Sequence, residues 1–298
     1  MRIYSLVGAV LLCFAPSIVF GQTGTDRTRR ENAHRKILLV AGETATQDKL
    51  GHHDYLAGCQ CMEALLKQTS EIEVVSVRDG WPDEADVFNN CDAVVFYTDG
   101  GGQQAFLKSK ERIAKMQQLA DSSIGMVLIH QAVDFPDEFE HQGKHWLGGV
   151  YLKETSGRGH WPSTHLDFPE HPITRGVEPW KVNDGWLNGL SFVEKMAGIT
   201  PLVWSGKVYE GSRSGRDADI VGWAYERASG GRSFCFTGLD AHSAWSLSGM
   251  RKLMVNGILW SANCEIPEAG APSEIEEQPL LEMQTPRTPK SISREPKT

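Results

Sequence analysis

Six of the ten histidines lie in short segments rich in glycine and tryptophan, and most follow an apolar run that reads as a β-strand. Imidazole carries protons, ligates metals and holds hydrogen bonds near neutral pH. In an open α/β sheet, ligands bind beyond the carboxyl ends of the strands. The histidines therefore predict one pocket assembled from several loops. They are His52, His53, His130, His160, His171 and His242.

The predicted catalytic residues are three of these histidines and one carboxylate. His130 ends an apolar strand, at the place where other α/β enzymes carry a nucleophilic serine or cysteine. No G-x-S-x-G motif occurs, so such a nucleophile is disfavoured, and a hydrogen-bonded core histidine is the alternative. A carboxylate can orient a histidine or act as general acid or base. The catalytic set is His130, His242, Asp184 and His160.

A second set of residues is predicted to bind a ligand. Carboxylates close to tryptophans suit a saccharide, because they accept hydrogen bonds from hydroxyls while the indole covers the ring. Three glycines follow Asp99, where they either let the backbone approach a ligand or form a strand-to-helix turn. Because neither G-x-G-x-x-G nor a Walker lysine is present, they are only weak evidence for nucleotide binding. The set is His52, His53, Asp99, Gly100, Gly101, Trp161, Trp186, Asp240 and Trp245.

The sequence assigns no metal ligand. Neither H-E-x-x-H nor paired C-x-x-C is present, and Pro162 prevents a helix from aligning His160 with His165. Histidines scattered along the chain still leave a metal site open, so the cofactor is unknown. The formal charge is −8 without a basic stripe, which makes nucleic acid a poor candidate partner, so none is expected.

Residues 1–21 are predicted to be a signal peptide. Arg2 precedes an apolar stretch that is shorter than the roughly 20 residues of a membrane span. We therefore expect export to the periplasm or medium, with no membrane association after cleavage. Five cysteines would then remain, an odd number with irregular spacing that predicts no disulfide framework and leaves a single pair open.

The rest of the chain divides into three parts. Residues 22–34 read as a polar linker and residues 35–264 as one α/β domain, in which apolar strands alternate with helices such as 104–120. This alternation predicts a three-layer fold with a mainly parallel sheet. The second half is loop-rich, and Gly157–Pro162 reads as too glycine-rich to be regular. Six of the fourteen prolines follow Glu265, so 265–298 is predicted to be a disordered tail.

The histidine-, glycine- and tryptophan-containing segments, taken together in their order along the chain, resemble the ThuA-like family, which is named for trehalose utilisation. The resemblance runs from about Lys36 to Ala262. The matching blocks are Gly51-His52-His53-Asp54, Asp99-Gly100-Gly101, Ile129-His130, Gly159-His160-Trp161, His171 to Val177, Asp184-Gly185-Trp186, Gly230 to Phe234, His242 with Trp245, and Asn256 to Ala262. The resemblance implies a flavodoxin-like fold similar to class I glutamine amidotransferases. Amidotransferases place a cysteine at the position of His130, so glutaminase activity is not implied.

The resemblance also implies a role in carbohydrate breakdown, including the handling of oxidised (keto) disaccharides. Many relatives show an acidic pair where this chain has Asp184-Gly185, which puts catalysis in question if the second acid is required. We expect an exported protein that acts on or binds a saccharide; a non-catalytic binding protein and a metal-dependent hydrolase are the alternatives. His52, His130, His160, Asp184 and His242 are predicted to converge on one cleft. The sequence sets neither the substrate nor the oligomeric state.

Overall fold

A computed structural model describes residues 34–43, 51–211, 213–215 and 217–275. The predicted signal peptide and nearly all of the predicted linker lie outside the described residues. Within the described part of the chain, none of the helices combines the length and apolar character that a membrane-spanning segment needs.

The centre of the fold is a seven-stranded sheet, in which five neighbouring strands are parallel and two more strands at one end of the sheet are added by antiparallel pairing. Its strands are β1 (Arg35–Ala41), β2 (Ile72–Val77), β3 (Ala93–Tyr97), β4 (Gly125–Ile129), β10 (Ile199–Trp204), β11 (Ile220–Glu226) and β12 (Arg232–Phe236). The order β2-β1-β3-β4-β12 is the flavodoxin-like order. The predicted fold class, a mainly parallel three-layer α/β fold, is confirmed.

Four helices cover the two faces of this sheet. They are α1 (Tyr55–Leu66), α2 (Lys110–Ala120), α3 (Glu140–Leu147) and α4 (Ser248–Ser261). The apolar residues of α1 and α4 form one core and those of α2 and α3 form the other. Successive residues of β1 alternate between the two cores, since Leu38 packs into one and Leu39 into the other. A strand buried on both faces therefore reads as an uninterrupted apolar run.

Helix α2 begins later than the sequence suggested. A short 3-10 helix occupies Ala105–Leu107, and Ser109 then caps α2 by accepting a hydrogen bond from the backbone N–H of Arg112 at 3.3 Å. Serine is a favoured N-cap because its hydroxyl satisfies a backbone donor of the first turn. The predicted helix over 104–120 is thus two elements.

The loop-rich half contains more regular structure than predicted. Two strands, β7 (Gly157–His165) and β8 (Trp180–Asn188), pair antiparallel over nine residues. Pro162 is tolerated because both strands of a two-stranded ribbon are edge strands. The prediction that this glycine-rich segment is irregular is therefore wrong. A small sheet of β5 (Asp134–Phe135), β6 (Gly149–Leu152) and β9 (Ser191–Phe192) completes this half.

The segment after α4 begins with ordered chain. Ile266 and Ala271 are buried, the backbone N–H of Ala271 donates to Asn256 Oδ1, and the carbonyl of Ser273 accepts from Arg251. The predicted disorder of 265–298 is therefore incorrect for residues 265–275, because their apolar side chains and carbonyls find partners around α4. The remainder lies outside the described residues. All five cysteines after residue 34 are free.

Candidate functional site

The candidate site lies at the carboxyl edge of the parallel strands, where the sheet order reverses between β1 and β3. This reversal point is where doubly wound sheets bind ligands. Loops after four neighbouring strands meet there: His52 and His53 follow β1, Asp99 follows β3, His130 follows β4 and Asp240 follows β12. The ribbon β7–β8 contributes His160 from outside the sheet.

Asp240 is the centre of the site, because four imidazoles contact its carboxylate. Oδ2 lies 2.9 Å from His52 Nδ1 and 2.5 Å from His160 Nε2. Oδ1 lies 2.8 Å from His53 Nε2 and 3.3 Å from His130 Nε2. The two oxygens therefore divide the histidines into an outer pair, His52 and His160, and an inner pair, His53 and His130.

The charge of Asp240 is strongly stabilised. Burial by itself would raise the pKa of this carboxyl group, but hydrogen bonds from His130, His53 and His52 and the charge of His130 lower the pKa of Asp240 far below its usual range. A carboxylate that accepts several hydrogen bonds is favoured in its charged form. Asp240 is therefore an acceptor at any physiological pH, and the protons of the cluster reside on the imidazoles.

The backbone at the site adopts left-handed conformations at three non-glycine residues. The φ angles are 52° at His53, 56° at His130 and 65° at Leu239. Each such residue costs on the order of 1–3 kcal/mol and persists only where surrounding contacts hold it. His130 begins a 3-10 helix directly after β4, so it occupies a sharp strand-to-helix turn of the kind that presents a reactive side chain.

Asp184 fixes the loop that carries Asp240. Its carboxylate accepts hydrogen bonds from the backbone N–H of Leu239 at 2.6 Å, of Ala241 at 2.9 Å and of Gly185 at 2.9 Å. Complete burial raises the pKa of Asp184, and these backbone N–H groups oppose that rise. Asp184 accepts hydrogen bonds from the backbone of both residues that flank Asp240 and is itself buried. Its position therefore favours a positioning role over the catalytic role that the sequence suggested.

Two further contacts restrain the same loop. The Tyr97 hydroxyl donates to the carbonyl oxygen of Leu239. Gly185 packs so closely that a Cβ there would lie 2.6 Å from Asp240 Oδ2. A side chain at position 185 is therefore incompatible with this position of Asp240. This gives a physical reason for glycine at position 185.

The loops after β1 and β12 are joined directly to each other. His52 and Ala241 form an isolated antiparallel bridge, and the backbone N–H of His53 donates to Asp240 O at 3.0 Å. The N–H of His242 donates to Gly51 O at 2.6 Å. His242 is itself buried, and its backbone fastens the loop that carries His52. Its catalytic role stays a prediction.

Asp99 orients His53 from the loop after β3. Its Oδ1 lies 3.2 Å from His53 Nδ1 and accepts from the Tyr55 hydroxyl at 2.6 Å. Burial would raise the pKa of Asp99, but the hydrogen bonds from His53 and Tyr55 and the charges of His53 and His130 lower it. Asp99 therefore connects the first turn of α1 to the cluster through the imidazole of His53.

The two glycines after Asp99 pack against the segment after His130. A Cβ at Gly100 would meet Asp134 Cβ at 2.5 Å, and Gly101 has a φ of 61° and donates to Asp134 O at 2.7 Å. Burial raises the pKa of Asp134 to about 6 although Arg158, 3.3 Å away, lowers it. Arg158 lies two residues before His160 on β7 and on the same face, so this pair borders the site.

The outer pair is accessible, whereas the tryptophans are not. The side chain of His160 is 61% exposed and that of His52 is 41% exposed, so both imidazoles line the mouth of the site. The indoles of Trp161, Trp186 and Trp245 pack within the core instead. The aromatic surface that the sequence assigned to a saccharide is thus buried at these three positions.

An exposed aromatic ring lies beside β7, the strand that carries His160. The ring of Tyr209 is in contact range of Gly159, the residue before His160, and Tyr209 is 45% exposed. The sequence analysis missed this residue because Tyr209 lies in a charged loop after β10, without a histidine or a motif beside it. It also missed Tyr55, Asp134 and Arg158, which are distant in sequence from the partners that they contact.

Two sets of three side chains among the described residues have ligand atoms close enough for one metal ion. The inner set is His53, His130 and Asp240, and all three are buried. The outer set is His52, His160 and Asp240. Of the five residues predicted to converge, the structure brings His52, His130 and His160 together. Their shared partner is the carboxylate of Asp240, whereas the sequence had assigned Asp184 to this cleft.

Comparison with known proteins identifies relatives of the chain. Residues 37–261 match the family model ThuA, described as trehalose utilisation. A ThuA-like protein from Bacteroides uniformis ATCC 8492 is similar in structure, with a TM-score of 0.59 and 12% identity over 84% of this chain and 96% of that one. Another, from Parabacteroides merdae ATCC 43184, has a TM-score of 0.52 and 14% identity over 80% and 97%. At these identities the likeness concerns the fold. No curated protein matches significantly.

Asp184→Asn is expected to lower the free energy of unfolding by about 1–3 kcal/mol, because an amide group cannot accept from all three backbone N–H groups. Chemical denaturation measures this loss. Asp121→Asn is the matched control, since Asp121 is exposed and should change stability by less than about 0.5 kcal/mol. Equal stabilities of the two variants would contradict the positioning role.

Asp134→Asn tests the raised pKa at the border of the site. The folded pKa of Asp134, about 6, lies above its usual value of about 4, so the folded state binds this proton more tightly than the unfolded state. The wild type should therefore lose stability relative to the variant as the pH rises from about 4 to 6, by at most about 3 kcal/mol. Denaturation at pH 4, 5, 6 and 7 measures the difference. A pH-independent difference would show that the pKa is not raised.

Proposed function

The chain belongs to the ThuA family, described as trehalose utilisation, and we propose that it binds and acts on a saccharide or an oxidised (keto) glycoside at the Asp240 site. The observation that carries this proposal is the shared carboxylate of Asp240. It holds two exposed imidazoles at the mouth and two buried imidazoles behind them. Groups that titrate and converge from distant segments are typical of functional sites.

The outer pair provides the acid–base chemistry of the proposal. His52 and His160 both donate to Asp240 Oδ2, so each presents its other ring nitrogen away from the carboxylate. A carboxylate that accepts from one imidazole nitrogen orients the ring and stabilises the imidazolium that forms when the other nitrogen takes up a proton. Saccharide hydroxyls and the hydrogens next to a keto group are both proton sources that such a base can use.

The border of the site supplies the recognition elements. Tyr209 presents an exposed ring beside β7, where it can cover the C–H face of a sugar ring. Arg158 and Asp134 provide a donor and an acceptor suited to vicinal hydroxyls. An apolar face combined with a few fixed polar groups is the usual composition of a small-molecule site.

His160→Ala and Tyr209→Ala are each expected to weaken saccharide binding at least about 10-fold while the fold is retained. Isothermal titration calorimetry with trehalose, other disaccharides and their 3-keto forms measures binding, and product analysis of the same mixtures measures turnover. His145→Ala is the matched control, because His145 is also an exposed imidazole paired with a carboxylate, that of Asp121 at 2.9 Å.

The outcomes separate the functional classes. Binding without turnover would assign the protein as a carbohydrate-binding protein. If no saccharide in the panel binds to the wild type, the proposal is wrong.

We also propose that the protein acts outside the cytoplasm, on the basis of the signal-peptide pattern in residues 1–21. N-terminal sequencing of protein recovered from the periplasm or medium should begin near Gln22. Recovery of chains that retain Met1 would contradict export.

A further inference from the structure

The inner pair of histidines and Asp240 form a triangle of electron-pair donors. His53 Nε2 lies 2.8 Å from Asp240 Oδ1, His130 Nε2 lies 3.3 Å from the same oxygen, and the two nitrogens lie 3.3 Å from each other. All three side chains are buried. Since the Asp240 carboxylate only accepts, either protons on the imidazoles or a bound cation must stabilise three such atoms at these distances.

The tautomers of the two imidazoles follow from their outer nitrogens. His130 Nδ1 lies 2.9 Å from the carbonyl oxygen of Thr237, which can only accept, so Nδ1 carries the hydrogen. His53 Nδ1 lies 3.2 Å from the carboxylate of Asp99 and donates in the same way. The amide group of Gln131 lies 3.2 Å from His53 Nε2 and borders the same position. With the hydrogen on Nδ1, a ring that also donates from Nε2 to Asp240 Oδ1 is an imidazolium, whereas a neutral ring directs its Nε2 lone pair to the position where a cation would lie between that nitrogen and Oδ1.

This arrangement is what metal-ligating histidines require. Such histidines donate their outer N–H to a carbonyl or carboxylate, which fixes the ring and makes the ligating nitrogen more basic. Thr237 and Asp99 take these roles here, one for each imidazole. The left-handed backbone at His53 and His130 adds a second restraint on the same two rings.

The spacing fits a small divalent cation. Bonds of about 2.0–2.1 Å to nitrogen or oxygen in a tetrahedral site place neighbouring ligand atoms about 3.3 Å apart. Two of the three observed separations, both 3.3 Å, match this spacing, and the third, 2.8 Å between His53 Nε2 and Asp240 Oδ1, is shorter by about 0.5 Å. The outer set is less suitable, because His160 Nε2 lies only 2.5 Å from Asp240 Oδ2, well below the spacing of two ligand atoms on one ion, and both of its imidazoles are exposed.

We propose that His53 Nε2, His130 Nε2 and Asp240 Oδ1 bind one divalent transition-metal ion of the Zn²⁺ class. Two imidazoles and one carboxylate suit Zn²⁺, and three protein ligands leave a fourth position for water or a substrate oxygen. A cation there would polarise a sugar carbonyl or hydroxyl, while His52 and His160 on the other oxygen retain their protons. This inference depends on the proposed function in one respect, since both place the functional site of the protein at Asp240.

The test uses the full chain, treated with a chelator and titrated with Zn²⁺ alone by calorimetry. We expect one Zn²⁺ per chain, and the Co²⁺-substituted protein should show the intense visible bands of a tetrahedral site. Wild-type protein that binds no Zn²⁺ or Co²⁺ would overturn the proposal without any variant. Because no sugar is present, this result is independent of the proposed saccharide function.

Variants then assign the ligands. His53→Asn and His130→Asn keep a short polar residue that tolerates the left-handed backbone, and each should lower the affinity for Zn²⁺ more than 100-fold. Asp99→Asn, which alters only the partner of His53, should lower it about 10- to 100-fold. His145→Asn is the control and should leave the affinity unchanged. Circular dichroism checks the fold of each variant.

One further variant separates the inner set from the outer set. His160→Ala should retain Zn²⁺ binding even if saccharide binding is lost. A loss of Zn²⁺ binding in His160→Ala equal to that in His130→Asn would place the ion at the outer set and overturn the assignment. Saccharide binding by the chelated protein together with no Zn²⁺ binding would reject the metal site and leave the saccharide function standing.

Discussion

The arrangement of the site depends on the position of a single buried carboxylate, that of Asp240. Four imidazoles from three separate segments take their positions from its two oxygens. A buried carboxylate is stable only when hydrogen bonds or charges replace the water that it has lost. The histidines meet this requirement for Asp240, and the carboxylate in turn holds rings that would otherwise point in unrelated directions.

A second carboxylate makes this position rigid. Asp184 binds the backbone on both sides of Asp240, Tyr97 binds the carbonyl of Leu239, and Gly185 leaves room for Asp240 Oδ2. These contacts stabilise a left-handed residue at Leu239 that would be unfavourable alone. The strands supply the framework, because the flavodoxin-like order brings the ends of β1, β3, β4 and β12 to one edge.

One oxygen of Asp240 contacts the inner pair of histidines and the other contacts the outer pair. The proposed metal site and the proposed saccharide chemistry are therefore compatible. A cation bound at Oδ1 would increase the positive charge near the mouth, and the exposed pair on Oδ2 would remain available to exchange protons with a bound sugar. The Asp134–Arg158 pair lies on the face of β7 that carries His160 and is separate from the histidines on Asp240, so recognition and chemistry are assigned to different side chains.

The sequence by itself determined the layered fold and the strand ends, because uninterrupted apolar runs such as Gly125–Ile129 suit only strands covered on both faces. It also predicted that His52, His130 and His160 would meet. Only the tertiary structure distinguished Asp240 from Asp184, since both are aspartates near a glycine and a tryptophan, and their roles depend on which atoms approach across the fold. The same holds for the tryptophans, whose burial is decided by tertiary packing in the core and not by local sequence.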